Sequence, residues 1–341
     1  MARRLPAEWE PQDGVLLCWP HPDTDWAPDL EPVEGVFTDL IRAIARFATV
    51  LLVAADPQHA AEVLRRARVD TDRVRFHPAP SDDTWARDFG PITVYDAAKP
   101  TLLDFTFNGW GGKFQAGQDD RLTAGLHAAG AFGATPLERP GLILEGGSID
   151  SDGRGTLLTT TRCLLHPGRN PHLDRAGVET ELRRWLGAER VLWLEHGELR
   201  GDDTDAHVDT LARFAAPDVI VYQGCDDPAD PHFEPLARMA AELAGFRTPE
   251  GERYRLLPLP WPAARYDLEG SRLPTTYANF LVVNGGVLLP IYGDPADAPA
   301  AKMLRLAFPA REVVPVACAP LLQQHGSLHC LTMQLPRGVL P

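Results

Sequence analysis

The sequence predicts an α/β protein with mixed strand pairing, and three observations lead there. Short apolar, often β-branched runs end in Gly-rich or Asp-rich turns. Segments with helical apolar spacing lie between them. The dipeptide Asn284-Gly285 sits between two apolar runs as a two-residue hairpin signal, which argues against a purely parallel sheet. In chain order, the spacing predicts a helix over Pro32 to Phe47, a buried strand over Thr49 to Ala54, a helix over Pro57 to Ala67 and a strand at Leu142 to Leu144. Further helices are expected over Arg175 to Leu186 and Phe233 to Ala244, with strands at Val219 to Tyr222, Phe280 to Val283 and Val287 to Leu289. Glycine-rich turns recur around Gly109, Gly146, Gly285 and Gly326, although self-similarity is too faint to define a repeat.

At 341 residues the chain is long enough for two domains of about 150 residues, yet no polar linker, charge block or compositional shift marks a boundary. One continuous domain over 1–341 is expected. Apolar residues (44%) and charged residues (23%) sit near the globular average, which excludes wholesale disorder. The net charge of -14 repels phosphate backbones and anionic lipid and favours cationic partners, so neither nucleic acid nor a membrane is expected as a partner. No apolar run approaches the roughly 20 residues that span a bilayer. The five cysteines, Cys18, Cys163, Cys225, Cys318 and Cys330, are scattered without a C-x-x-C pair. Pro6, Glu8 and Glu10 interrupt the start where a secretory leader needs an apolar stretch. A reduced, cytoplasmic protein follows.

No G-x-G-x-x-G, Walker loop, G-x-S-x-G or H-E-x-x-H is present. Four polar clusters stand out instead. In Asp83-Thr84-Trp85-Ala86-Arg87-Asp88, a carboxylate precedes a Gly-Pro turn with Trp85 beside it. Asp88 suits bidentate capture of a guanidinium and Trp85 suits covering the ligand's stem, but Asp88 reads equally as a turn cap or a partner for Arg87. In Leu144-Glu145-Gly146-Gly147, Glu145 closes an apolar run before two permissive glycines, as a site carboxylate or a solvated hairpin end. In the Asp-rich segment 201–209, His207 and Asp209 would share one face of a strand, pairing a proton carrier with a fixed negative charge. Asp203 and Asp205 beside them could also serve a metal, without the EF-hand spacing. Near the C-terminus, Cys330 follows a Gly-containing loop, and His329, His207 or a cationic substrate could stabilise its thiolate. The other four cysteines read as structural.

A thiol nucleophile, a histidine and several carboxylates in an acidic chain together point to the electrophilic carbon of a guanidinium. At this point the sequence resembles the agmatine deiminase family, close relatives of the bacterial peptidylarginine deiminases. The matching segments run in order from Pro6-Ala7-Glu8-Trp9-Glu10-Pro11 and Trp19-Pro20 through Asp83 to Asp88, Trp110-Gly111-Gly112-Lys113 and Glu145-Gly146-Gly147. They continue through Arg169-Asn170-Pro171, Asp203 to Asp209, Asn279-Phe280, Asn284 to Val287, Gly293-Asp294-Pro295 and His329-Cys330. The resemblance implies a pentein-type α/β propeller of five ββαβ-like modules around a central site. It implies Cys330 as nucleophile, His207 as acid/base, Asp88 and Asp209 as guanidinium-binding carboxylates and Glu145 as the carboxylate supporting the histidine. It implies no metal and no cofactor, agmatine as substrate, N-carbamoylputrescine and ammonia as products, and is compatible with a homodimer.

The sequence departs from the family pattern in places. The C-terminal loop carries His325 where a run of glycines is usual, with Leu328 and Leu331 around His329-Cys330. Asp150 stands where some relatives have His, and Thr275-Thr276-Tyr277 replaces Ala-Ser-Tyr. Three rival readings use the same residues: deimination of free or peptidyl arginine, a metal-dependent ureohydrolase on Asp203, Asp205, His207 and Asp209, and a guanidinium or polyamine sensor without turnover.

Overall fold

The computed structural model describes residues 3–341, so Met1 and Ala2 of the expected 1–341 unit lie outside the described residues. The chain opens with β1 (Gln12–Cys18), α1 (Leu30–Ala45), β2 (Thr49–Ala54), α2 (Pro57–Arg66) and β3 (Val74–Pro78). The second module is β4 (Ile92–Asp96), β5 (Lys99–Leu103), α3 (Asp119–Ala128) and β6 (Leu137–Glu138). The third is β7 (Ile149–Ser151), β8 (Thr156–Thr160), α4 (Arg175–Leu186) and β9 (Arg190–Leu194). The fourth is β10 (Ala212–Ala216), β11 (Val219–Gln223), α5 (Phe233–Gly245) and β12 (Arg255–Leu259). The fifth is β13 (Leu281–Val283), β14 (Gly286–Ile291), α6 (Asp297–Ala307) and β15 (Glu312–Ala317), and β16 (Thr332–Pro336) ends the chain.

One pattern repeats. The first strand of each unit pairs antiparallel with the second, a helix crosses over, and the third strand lies parallel to the second. An antiparallel step needs only a tight turn, whereas the parallel step needs a crossover long enough to hold a helix. The remaining unit is shared between the chain ends: β16 pairs antiparallel with β1, and β1 pairs parallel with β2. Five small mixed sheets result, and the last strand closes onto the first. No helix among the described residues is long and apolar enough to cross a membrane.

Local sequence explains the elements. In α1 the buried residues Val33, Phe37, Leu40, Ile41 and Ile44 recur at i, i+3 and i+4 spacing, so one stripe faces the core. Pro57 occupies the first turn of α2, and the Asp56 carboxylate accepts from the backbone N–H groups of Gln58 and His59. Helix α4 stops at Gly187, whose φ of +68° suits glycine and whose added Cβ would lie 1.9 Å from the Arg3 carbonyl oxygen. The hairpin at Asn284-Gly285 forms as expected, with Val283 opposite Gly286 and Gly285 at φ +74°.

The strand expected at Leu142 to Leu144 does not form. Only Ile143 bridges, to Thr106. The Asn170 side chain takes the ladder's place, accepting from Ile143 N–H at 3.1 Å and donating to the Ile143 carbonyl at 2.8 Å. His207 and Asp209 also do not lie on a strand. His207 caps the start of a 3-10 turn over Val208–Thr210 and Asp209 lies within it, so a tight turn and not strand alternation brings imidazole and carboxylate to one centre.

Candidate active site

The repeat places chemistry at one position of each unit, the turn just ahead of the antiparallel first strand. Asp88 sits in the single helical turn Ala86–Phe89 before β4, and Glu145 and Gly147 sit in the turn before β7. His207 and Asp209 precede β10, Asn279 precedes β13, and His329 and Cys330 precede β16. Of these, Asp88 and Cys330 line a cavity of about 340 Å³ together with Trp85 and Trp110, with Asp25, Asp83, Asp202 and Asp203 among its other walls, and the remaining groups are buried behind them.

Asp88 is fixed on both oxygens. Its Oδ2 accepts from Trp110 Nε1 at 2.9 Å, and its Oδ1 accepts from Gly147 N–H at 3.0 Å and lies 3.6 Å from His207 Nδ1. Burial pushes its carboxyl up to about 6, although His207 pulls the other way. His207 is fully enclosed. Burial alone would depress its imidazole, but Asp88, Cys163 and Glu145 outweigh that and hold it well above its ordinary value, protonated at neutral pH. Glu145 is in turn pinned by Arg169, whose Nε lies 2.9 Å from both carboxylate oxygens, while Arg169 Nη1 donates to Asp205 at 2.7 Å.

Asp209 is held from one side only. His329 Nδ1 lies 2.7 Å from its Oδ2, and its Oδ1 has no protein partner. Burial raises this carboxyl, but the hydrogen bond and charge of His329 win, keeping it below its ordinary value. His329 Nε2 meets Glu8 Oε1 at 2.8 Å, so the imidazole bridges two carboxylates and turns away from the neighbouring thiol. Two ionised carboxylates at that distance both require an N–H, so we place a proton on each ring nitrogen against the opposing influence of burial, Arg213 and Arg87.

The Cys330 thiol lies 3.9 Å from Asp209 Oδ2, and Asn279 Nδ2 donates to its sulfur at 3.2 Å. Asn279 Oδ1 accepts from the backbone N–H of His329 at 2.9 Å, which fixes the turn that carries the thiol. Burial, then Asp209 and Asp88, push the thiol well above its ordinary value. The centre therefore holds a protonated thiol beside carboxylates with an unfilled acceptor, an arrangement completed by a planar cation.

The site strains its own backbone. Four of the seven non-glycine residues with positive φ among the described residues lie here: Trp110, Asp205, Ala206 and His325. Each is tied down, Trp110 by edge-on packing between Phe107 and Phe114, Asp205 by Arg169 and Lys113, and Ala206 by the Asp202 carboxylate. His325 keeps the left-handed conformation that the usual glycines would adopt, at φ +62°, and its Nδ1 contacts the Gly201 carbonyl at 2.7 Å across the cavity mouth. Leu328 and Leu331 are fully buried, so those departures keep the apolar character of the turn. Trp85 lines the cavity as expected. Its indole donates to Asp83, and its ring lies so close under Gly326 that a Cβ there would come within 2.3 Å.

Gly147 is required for a different reason. A Cβ on it would lie 2.6 Å from His207 Nδ1, 2.9 Å from Asp88 Oδ1 and 3.1 Å from Asp209 Oδ2. We expect Gly147→Ala to fold normally by circular dichroism yet lose roughly 10- to 100-fold in kcat/KM through misplacement of these groups. Unchanged kinetics would show that the centre has slack the distances do not reveal.

Glu8 had no role from sequence beyond its place in the first matching segment. Its carboxylate gathers Arg213, Arg87, His329 and Gln334 behind the site. Burial pushes this carboxyl up, but Arg213, His329 and Arg87 overcome it and hold it well below the usual range. Replacing Glu8 by Gln keeps the shape and leaves two buried guanidiniums short of charge, so about 3 kcal/mol of stability is expected to be lost. A denaturation midpoint equal to that of the unaltered protein would refute this. Trp110, Asn279 and Arg169 likewise sat inside matching segments without assigned roles, and Cys163, read as structural, proves to border His207.

The chain matches the Porphyromonas-type peptidyl-arginine deiminase family over residues 4–336. It is 37% identical to the agmatine deiminase of Stutzerimonas stutzeri, over 97% of this chain and 95% of that one. A substrate-bound cysteine-to-serine variant of C. jejuni agmatine deiminase superposes with a TM-score of 0.92 at 37% identity, covering 99% of this chain and 97% of that one. A Porphyromonas gingivalis structure described as a candidate arginine deiminase gives 0.94 at 45%, covering 99% and 100%. With five modules around one acidic centre and a match spanning nearly its whole length, this chain has the pentein fold and belongs to the Porphyromonas-type peptidyl-arginine deiminase family.

Proposed function

We propose that the chain is an agmatine deiminase, a single catalytic unit that hydrolyses the guanidinium of agmatine to N-carbamoylputrescine and ammonia. The observation that carries this reading is the cavity. Cys330 and Asp88 lie on its walls with Asp25, Asp83, Asp202 and Asp203, the aromatics Trp85, Trp110 and Phe114 cover part of it, and no Lys or Arg is among its described lining residues. The distal ammonium of agmatine would meet carboxylates there, whereas the α-carboxylate of free arginine would meet like charge without a counter-ion.

In the proposed mechanism Asp88 and the open Oδ1 of Asp209 take the guanidinium N–H groups and hold its carbon over Cys330. The arriving positive charge offsets the carboxylates that keep the thiol protonated, so the thiol releases its proton to solvent, where the ammonia formed later takes one up, and attacks as the thiolate. A tetrahedral adduct forms. His207, already protonated, gives its proton to one nitrogen of the adduct, and that nitrogen leaves as ammonia, which generates a planar thiouronium intermediate. The now neutral His207 deprotonates a water that attacks the same carbon. Collapse of the second adduct expels the Cys330 thiolate and gives the carbamoyl product. Glu145, backed by Arg169, keeps the imidazole oriented and favours its charged form. Five unpaired cysteines agree with a reduced, cytoplasmic setting.

The test is ammonia release from agmatine, free arginine and a C-terminal arginyl peptide in parallel, using chelator-treated protein and mass spectrometry of the products. Carbamoylputrescine from agmatine alone is expected. Ammonia only from the peptide would move the assignment to peptidylarginine, and release of urea would point to ureohydrolase chemistry.

A further inference from the structure

We propose that Glu145, Cys163 and His207 form a binding site for a borderline-soft divalent cation, Zn2+ foremost, which shuts off the acid/base histidine. The three residues come from separate elements: the turn before β7, the helical turn Thr161–Leu164 after β8, and the loop before β10. One ligand atom from each lies within 4.8 Å of the others, and all three side chains are buried. Neither ring nitrogen of His207 has a hydrogen-bond partner although the residue is completely enclosed, so an imidazole lone pair is available there once its proton leaves. The thiol of Cys163 has no part in the deimination steps above.

The donor set selects the metal. One thiolate, one imidazole and one carboxylate match Zn2+, whereas Mg2+ or Ca2+ would want oxygen throughout. Zinc bonds of about 2.0–2.3 Å put neighbouring tetrahedral ligands about 3.3–3.8 Å apart, so side-chain rotations of about 1 Å close the site around an ion. A fourth position remains for water. Charge favours occupancy when substrate is away and His207 has lost its proton, because Asp88 and Glu145 then flank the centre with two carboxylates against the one guanidinium of Arg169. Binding releases the protons of Cys163 and His207, so affinity rises with pH. The ion and the guanidinium repel each other across the same carboxylates, which makes them competitors.

Binding is read first without turnover, so its outcome is independent of the deiminase reading; only the inhibition rests on that reading. Chelator-stripped Cys330→Ser protein titrated with Zn2+ by calorimetry is expected to bind one ion per chain, more tightly at higher pH and more weakly with agmatine present. Adding Cys163→Ser is expected to weaken binding at least tenfold. Co2+ in the Cys330→Ser protein should give a thiolate-to-cobalt charge-transfer band that the double variant lacks. In protein retaining Cys330, Zn2+ inhibition measured against each protein's own rate should weaken at least tenfold in Cys163→Ser. Equal binding with and without Cys163, or binding that vanishes in Cys330→Ser, would place the ion elsewhere and overturn the proposal. Should the Cys163 variants fail to fold, a cobalt band in Cys330→Ser that agmatine does not displace would overturn it equally.

Discussion

Cys330→Ser is expected to reduce ammonia release from agmatine by a factor on the order of 10⁴ or more while agmatine still binds. The asymmetry comes from where the work is divided. In the proposed mechanism binding belongs to Asp88 and Asp209, whose oxygens are oriented by Trp110, Gly147 and His329 whether or not sulfur is present. Bond making belongs to the sulfur. Serine keeps the volume and the Asn279 contact, but a buried hydroxyl beside two carboxylates holds its proton far more firmly than a thiol does, so no nucleophile forms. The thiol itself is already pushed well above its ordinary value in the empty site, which makes the substrate's own charge a necessary part of its activation. Calorimetric titration with agmatine and product analysis separate the two halves. Turnover at the unaltered rate would remove Cys330 from the mechanism, and loss of binding would mean that the thiol shapes the carboxylate clamp.

Much of this was legible in the sequence, and the parts that were not share a physical reason. Thr49 to Ala54 and the Asn284-Gly285 hairpin declare themselves because burial or turn chemistry is local. Strands such as Ile149–Ser151 and Leu137–Glu138 are too short to show alternation and exist because a neighbouring strand pairs with them. The five-fold repeat is carried by backbone pairing that many side chains satisfy, so it leaves little trace in residue identity. Cys330, His207, Asp88, Asp209 and Glu145 were readable as chemistry and, through the ordered resemblance, as one site. Their supports were not. Glu8 lies more than 300 residues from His329 in sequence, and only closure of β16 onto β1 brings them together. The expectation that His207 and Asp209 share a strand face was mistaken because Val208–Thr210 tightens into a 3-10 turn, and it is the change of direction between the cap His207 and the turn residue Asp209 that brings the two side chains together.

The same division of labour sets the outcome for Asp88→Asn. Removing one of two carboxylates from a desolvated guanidinium costs about 2–5 kcal/mol, a loss of roughly 30- to 4,000-fold in kcat/KM at about 1.4 kcal/mol per decade. Asparagine has a single acceptor oxygen, so it keeps only one of the Trp110 and Gly147 contacts and sets its NH2 against the other donor, and the loss combines charge with one hydrogen bond. Two further readouts distinguish this from simple damage. Burial lifts Asp88 to about 6, so the unaltered enzyme should lose kcat/KM as pH falls through about 6 and the clamp protonates, whereas Asp88→Asn should lack that limb. Stability should move oppositely. A carboxyl whose folded value exceeds its unfolded one helps the native state at low pH and weighs against it as pH rises from the ordinary value of 3.8 to about 6, remaining a net cost above that. Asparagine carries no such cost but lacks one of these hydrogen bonds at every pH, so its melting temperature relative to that of the unaltered protein should be more favourable at pH 8 than at pH 4. An inactive variant whose relative stability instead falls from pH 4 to pH 8 would show that the ionised Asp88 holds the fold around His207, and that the clamp is built mainly by Asp209.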